Sequence, residues 1–162
     1  MSLLEALTAT TIMATMMTSS VVVLRSSHAA WRAHEDDLER AESANAVLRH
    51  LVRHLRQATA VSAVSASSDT SGSLSLTMAS GDTYVWDHNS GTGEVLFGPT
   101  TATSLLADNI DTLTFYAYEA DGSTLTTTAA DAQLIRCVAT VTMPAGGGST
   151  RTVSCTGWVR SW

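Results

Sequence analysis

The chain has 162 residues, a length that suits one domain with a core of its own, and it carries fifteen acidic against nine basic residues for a formal net charge of −6. The excess is local: residues 1–59 hold six Arg and six acids, whereas residues 60–162 hold three Arg and nine acids. A nucleic-acid groove is therefore disfavoured in the second part.

Residues 1–24 contain a single charged side chain, Glu5, and no Gly or Pro. At about 1.5 Å per residue a helix of this length covers roughly 36 Å, enough for the hydrocarbon core of a bilayer. A secretory signal peptide would want a basic start, and the first basic residue is Arg25. An ordinary transmembrane anchor meets the hydrophobicity equally well. The five Thr from Thr8 to Thr18 soften the run and exclude neither alternative. What a plain anchor leaves unexplained is the acid at position five. A carboxylate in hydrocarbon is costly unless paired, and near a chain start the obvious partner is an α-amino group.

From Ser26 onward apolar residues keep helical spacing. Trp31, Leu38, Ala41, Ala44, Leu48, Leu51 and Leu55 fall three, four or seven apart, with charged residues opposite them. Arg32 and Asp36, then Asp36 and Arg40, stand at the i, i+4 spacing that supports exposed helices. The absence of Gly and Pro before Gly72 predicts one helix of some fifty-five residues. This gives three segments: residues 1–24, a hydrophobic membrane helix; residues 25–60, its amphipathic continuation; and residues 61–162, an antiparallel sheet head. Leu48, Leu51 and Leu55 should lie under the sheet. Trp31, about 36 Å further up a straight helix, should be exposed in an isolated subunit and covered only by neighbours.

Ser62 to Gly72 reads as a small polar connector, after which the period changes to two. Ser73–Met78, Thr83–Asp87, Glu94–Phe97 and Asp111–Tyr118 are strand candidates, and Asp121-Gly122 reads as a tight hairpin turn with residues 123–128 returning. Leu134–Met143 and Thr150–Val159 are the last two strands. With Gly146 as pivot, Cys137 and Cys155 lie nine residues either side and face each other. Alternation agrees, since Ile135, Cys137, Ala139 and Val141 share one face. A disulfide closing this hairpin is expected outside the cytoplasm, with two buried free thiols as the alternative.

Catalytic chemistry is not signalled. His50 and His54 stand at a spacing that can hold a metal, yet no third ligand is evident and Arg49, Arg53 and Arg56 crowd them. Glu35, Asp36 and Asp37 form an acidic cluster that Arg32 and Arg40 turn into a solvated ion-pair face. There is no Gly-rich phosphate loop before a helix and no nucleophile motif, so no cofactor and no enzyme activity are expected. Trp86, Trp158 and Trp162 read as packing residues.

Met1-Ser2-Leu3-Leu4-Glu5-Ala6-Leu7, followed by an apolar run to Leu24 and then Arg25, resembles the mature N-terminus of a type IV pilin or type II secretion pseudopilin. Asn45 to Ala58, and Leu105 through Asp111, Phe115, Tyr116, Asp121 and Gly122 to Arg136, resemble the W-type minor pilins and J-type pseudopilins. The resemblance implies an α+β fold with one long N-terminal helix packed on an antiparallel sheet head. It also implies a chain cut from its basic leader by a prepilin peptidase, Met1 as the N-methylated residue, and Glu5 pairing with the amino terminus of a neighbouring subunit. The implied function is that of a structural subunit held in the inner membrane and then assembled with other pilin subunits into a surface filament. A minor pseudopilin or a membrane-anchored binding module is the alternative. Ala14 and Val22 stand where many major pilins have Gly and Pro, so a continuous helix is expected here.

Overall fold

The computed structural model describes residues 2–145 and 147–159. The first element, α1, runs unbroken from Leu3 to Leu55, 53 residues, or about 80 Å at the rise of an α-helix. Its sequence contains no residue that removes a backbone donor or frees the backbone, so nothing interrupts the ladder. The helix ends at Leu55, and Arg56 caps it in right-handed geometry.

Nine strands follow among the described residues. β1 (Ala58–Val64), β2 (Ser73–Met78), β3 (Thr83–Asn89), β4 (Glu94–Pro99) and β5 (Ser104–Ala107) form an antiparallel meander in chain order. β6 (Thr112–Tyr118), β7 (Leu125–Thr126), β8 (Leu134–Met143) and β9 (Ser149–Trp158) form a second antiparallel sheet in the order β7-β6-β8-β9. A single 3₁₀ turn, Ala129–Asp131, separates β7 from β8. The protein is thus α+β, as expected, with two sheets in its head.

The two sheets meet where the chain passes from β1 to β2. Leu113 donates its amide to the Thr70 carbonyl and accepts the Gly72 amide at 2.8 Å. A Cβ on Gly72 would stand 2.7 Å from the Leu113 carbonyl oxygen, so a side chain there is excluded by backbone contact. The C-terminal third of α1 packs against β8 and β9 of one sheet and β5 of the other. Ala41, Ala44, Val47, Leu48, Leu51 and Leu55 are its buried residues. They join Leu74, Leu76, Trp86, Val95, Leu113, Phe115, Ile135 and Val141 in one continuous core. Gly157 lets β9 approach the helix: a Cβ there would meet the Leu55 side chain at 3.1 Å.

Three expectations need correction. The helical continuation does not reach residue 60, because Ala58–Val64 is β1, paired antiparallel with β2. Two register shifts in that ladder leave Ala58 and Val61 buried three residues apart, a spacing that mimics a helix. Asp121-Gly122 is not a two-residue hairpin turn. The connection spans Glu119 to Thr124, whose backbones bond at 2.9 Å, and only Gly122 of the pair has positive φ. Trp158 is 52% exposed instead of buried, while Trp86 is in the core as expected. Gly146 and Trp162 lie outside the described residues.

Candidate functional site

The exposed half of α1 is the most unusual surface of the molecule. From Leu3 to Leu24 every residue is exposed, and this part of the helix is long and apolar enough to cross a membrane. Its hydroxyls are turned inward on the backbone. Thr8, Thr11, Thr15 and Thr18, with Ser19 and Ser20, donate to carbonyls three or four residues back at 2.7–3.0 Å. Polar side chains are thereby satisfied within the helix and present their methyl or methylene groups outward.

Glu5 sits in the first turn. Its Oε2 accepts the Ser2 amide at 2.8 Å, and the Glu5 amide donates to Ser2 Oγ at 3.4 Å. This is a reciprocal capping box, signalled in the sequence by Ser2 three residues before Glu5 and not anticipated there. It gives the carboxylate a partner inside its own chain. One accepted bond leaves most of the acceptor capacity of an ionised carboxylate free, so a second donor can still be received. Met1 lies outside the described residues.

Where the helix enters the head, two of its charges hold the tip of the β8–β9 hairpin. Arg40 Nη1 donates to the Thr142 carbonyl at 3.1 Å, and Asp37 Oδ1 accepts the Ala145 amide at 3.1 Å. The sequence pattern placed both on a solvated ion-pair face. Their partners are more than a hundred residues away in the chain, which local spacing cannot reveal. Further along, α1 and the outer strand β9 bound a groove of about 520 Å³, lined by Asn45, Leu48, Arg49, Val52, Arg53, Arg56, Gln57, Ser154 and Cys155.

His50 and His54 are brought side by side on α1. Among the described residues no group of three His, Cys, Asp or Glu side chains converges as metal ligands would. The two rings lie tilted at 42° with centroids 4.3 Å apart and enter an aromatic cluster with Tyr84, Trp86 and Phe97. Trp86 Nε1 donates to His50 Nδ1 at 3.2 Å, which requires that nitrogen to be unprotonated. Burial, then the charges of His54 and Arg53, lower the His50 pKa. His88, unnoticed in the sequence, is buried in the core with Nε2 2.9 Å from the Ile110 carbonyl.

Cys137 and Cys155 are cross-strand partners in the β8–β9 ladder, in the register that a pivot at Gly146 predicts. They stand as free thiols in this structure, so the expected disulfide is not formed here although its two residues are brought together. Cys137 is buried and Cys155 half-buried. Cys155 beside it, and then burial, raise the Cys137 pKa, whereas Cys137 beside it lowers that of Cys155.

A long N-terminal apolar helix clamped onto antiparallel sheets gives the molecule the shape of a pilin. Searches of family models, of curated proteins and of solved structures find no match to this chain.

Proposed function

We propose that this protein is a structural subunit of a type IV pilus or a related filament, held in the inner membrane by residues 1–24 and then assembled with other subunits through α1. The observation that carries this reading is the division of one unbroken helix. Its apolar N-terminal part has no covering among the described residues, and its C-terminal third is fixed in the core of the head. Lipid covers the first part before assembly, and sister helices cover it afterwards.

Glu5 supplies axial register in this scheme. Apolar helices in an apolar medium have little preference for one offset, whereas a carboxylate favours the offset at which a neighbour's amino terminus arrives. A second reading has a specific observation in its favour. The Ser2–Glu5 capping box satisfies the carboxylate without a neighbour, as a simple membrane anchor bearing an extracellular binding module would need. A minor pseudopilin of a secretion system would use the same helix in a shorter assembly.

Mass spectrometry of the N-terminus of protein isolated from its native envelope tests the proposal. A cleaved, N-methylated first residue is expected, and the prepilin peptidase is then the processing partner. An unprocessed, unmethylated terminus would put the anchored module ahead.

A further inference from the structure

The solvent face of α1 above the head is patterned in charge. With a turn of 3.6 residues, Glu35, Glu39, Glu42, Arg49, Arg53 and Arg56 fall within about a third of the helix circumference, opposite the buried Ala44 and Leu51. All six are exposed. Each acid stands fourteen residues before an arginine: Glu35 before Arg49, Glu39 before Arg53, Glu42 before Arg56. Fourteen residues are nearly four turns, so paired positions share a face but lie about 21 Å apart along the axis, beyond ion-pair reach. No acid occurs between Ser43 and Ser68, and none in β9, so no acid lines the groove of the arginine block; on its far side Arg49 borders a second hollow with Glu42 and Asp108, and Arg53 and Arg56 do not.

The same displacement relates the apolar residues. Leu38 is carried onto Val52 and Trp31 onto Asn45, both of which line that groove. Trp31 and Leu38 are 71% and 53% exposed, an apolar pair on this face without covering in the chain.

We infer that a second copy of this chain docks its α1 parallel to the first, displaced by fourteen residues, with its Trp31–Glu42 segment seated in the groove beside Arg49, Arg53 and Arg56. This rests on the filament reading, because copies threaded through one membrane run parallel and assembly supplies the displacement. The same shift brings Arg25 onto Glu39 and His28 onto Glu42, so the pattern continues towards the membrane. At zero displacement every charge meets its own kind. At seven, Glu35 meets Glu42 and Arg49 meets Arg56, against the one opposite pair on this face, Glu42 on Arg49, where fourteen makes three. Copies lying flush in the bilayer therefore repel along this face, and association is directed to one offset. Lipid headgroups are not the occupant: Arg49 lies twenty-five residues beyond Leu24, about 37 Å along a straight helix and clear of a bilayer that holds residues 1–24.

The test places a photoactivatable benzophenone amino acid at Leu38 of the full chain in its native envelope and maps the products by mass spectrometry. Cross-links into Asn45–Arg56 of a second copy are expected. Glu35→Arg or Arg49→Glu should each reduce that product about threefold or more, and the two together should restore it. Cross-links from Leu38 to Leu38, or a product indifferent to both reversals, would overturn the docking and leave the filament reading standing. If benzophenone at Ser19, in the apolar part, also yields no product between copies, the filament reading falls with it.

Discussion

Glu5 can serve its own helix and a neighbour, and two substitutions separate these roles. Glu5→Gln keeps the capping geometry but removes the charge, whereas Glu5→Ala removes both. Both variants should still insert in the membrane, where a neutral residue is favoured over an ionised one. If axial register depends on the charge, the fraction of protein recovered in sheared filaments should fall for both; a wild-type fraction for the Gln variant would leave only the cap. Cys137 and Cys155 carry the second residue-scale prediction. Directly opposed strand residues have Cβ atoms about 4.5–5.5 Å apart, a short approach from the roughly 3.5–4.5 Å of a disulfide. Oxidation outside the cytoplasm should close a nineteen-residue loop, worth about 3 kcal/mol in the chain-entropy model. Two reactive thiols in unfolded, unreduced protein from the native source would exclude the bond; one reactive site in the reduced, folded protein, at the more accessible Cys155, should be alkylated first. His50 carries the third. Its folded pKa is below the ordinary 6.5, so as pH falls through that value the unfolded chain takes up a proton more readily than the folded one, and stability drops. The neighbouring charges are His54 and Arg53, both on α1, while β3 and β4 present the uncharged rings of Tyr84, Trp86 and Phe97. Thermal melts should show a lower midpoint at pH 5.5 than at pH 7.5, with a smaller difference in His50→Gln.

At the scale of elements, the helix–sheet contact is where stability should be most sensitive. Truncating Leu51 or Leu55 to Ala, each fully buried, should cost about 2–5 kcal/mol in denaturant unfolding of the head. Leu38→Ala, on the exposed part of the same helix, should be nearly neutral in the monomer. Gly157→Ala should also destabilise, because the added methyl meets Leu55 across the contact. The elements that were legible in the sequence are those whose period is undisturbed. β2 and β8 have the predicted ends, because Leu74, Leu76 and Met78, and likewise Ile135, Cys137, Ala139 and Val141, alternate cleanly into the core. β1 was hidden by its two register shifts, and the loop after β6 by its side chains. There the Asp121 carboxylate accepts bonds from the amides and hydroxyls of both Ser123 and Thr124, which depresses its pKa and orders a turn longer than its Asp-Gly pair suggests. Of the candidate site, the opposed cysteines could be read from spacing, and Glu5 stood out as the lone charge of its segment although its bond to Ser2 was missed. The tethers from Asp37 and Arg40 to the β8–β9 tip and the ring cluster around His50 depend on which strands fold back against α1, and local spacing carries no record of that.

For the whole molecule, Trp31 is the residue at which the proposed assembly can be checked. It is 71% exposed on the isolated chain, and in the filament reading a neighbour covers it. A variant retaining Trp31 alone, with Trp86, Trp158 and Trp162 changed to Phe, should shift its emission to shorter wavelength on passing from detergent monomer to filament. An unchanged maximum would remove Trp31 from the subunit contact.

The unbroken course of α1 has a mechanical consequence. A helix of 53 residues with no Gly or Pro has no built-in hinge, so tension applied to the head travels undiminished to the first turn. A pull along the axis cannot be relieved by paying out chain from a weak segment in the middle. It has to be borne either by the seam between the buried third of α1 and the two sheets or by the grip of whatever surrounds residues 3–24. Stretched singly, the protein should hold its length until one of these gives way, and then yield abruptly.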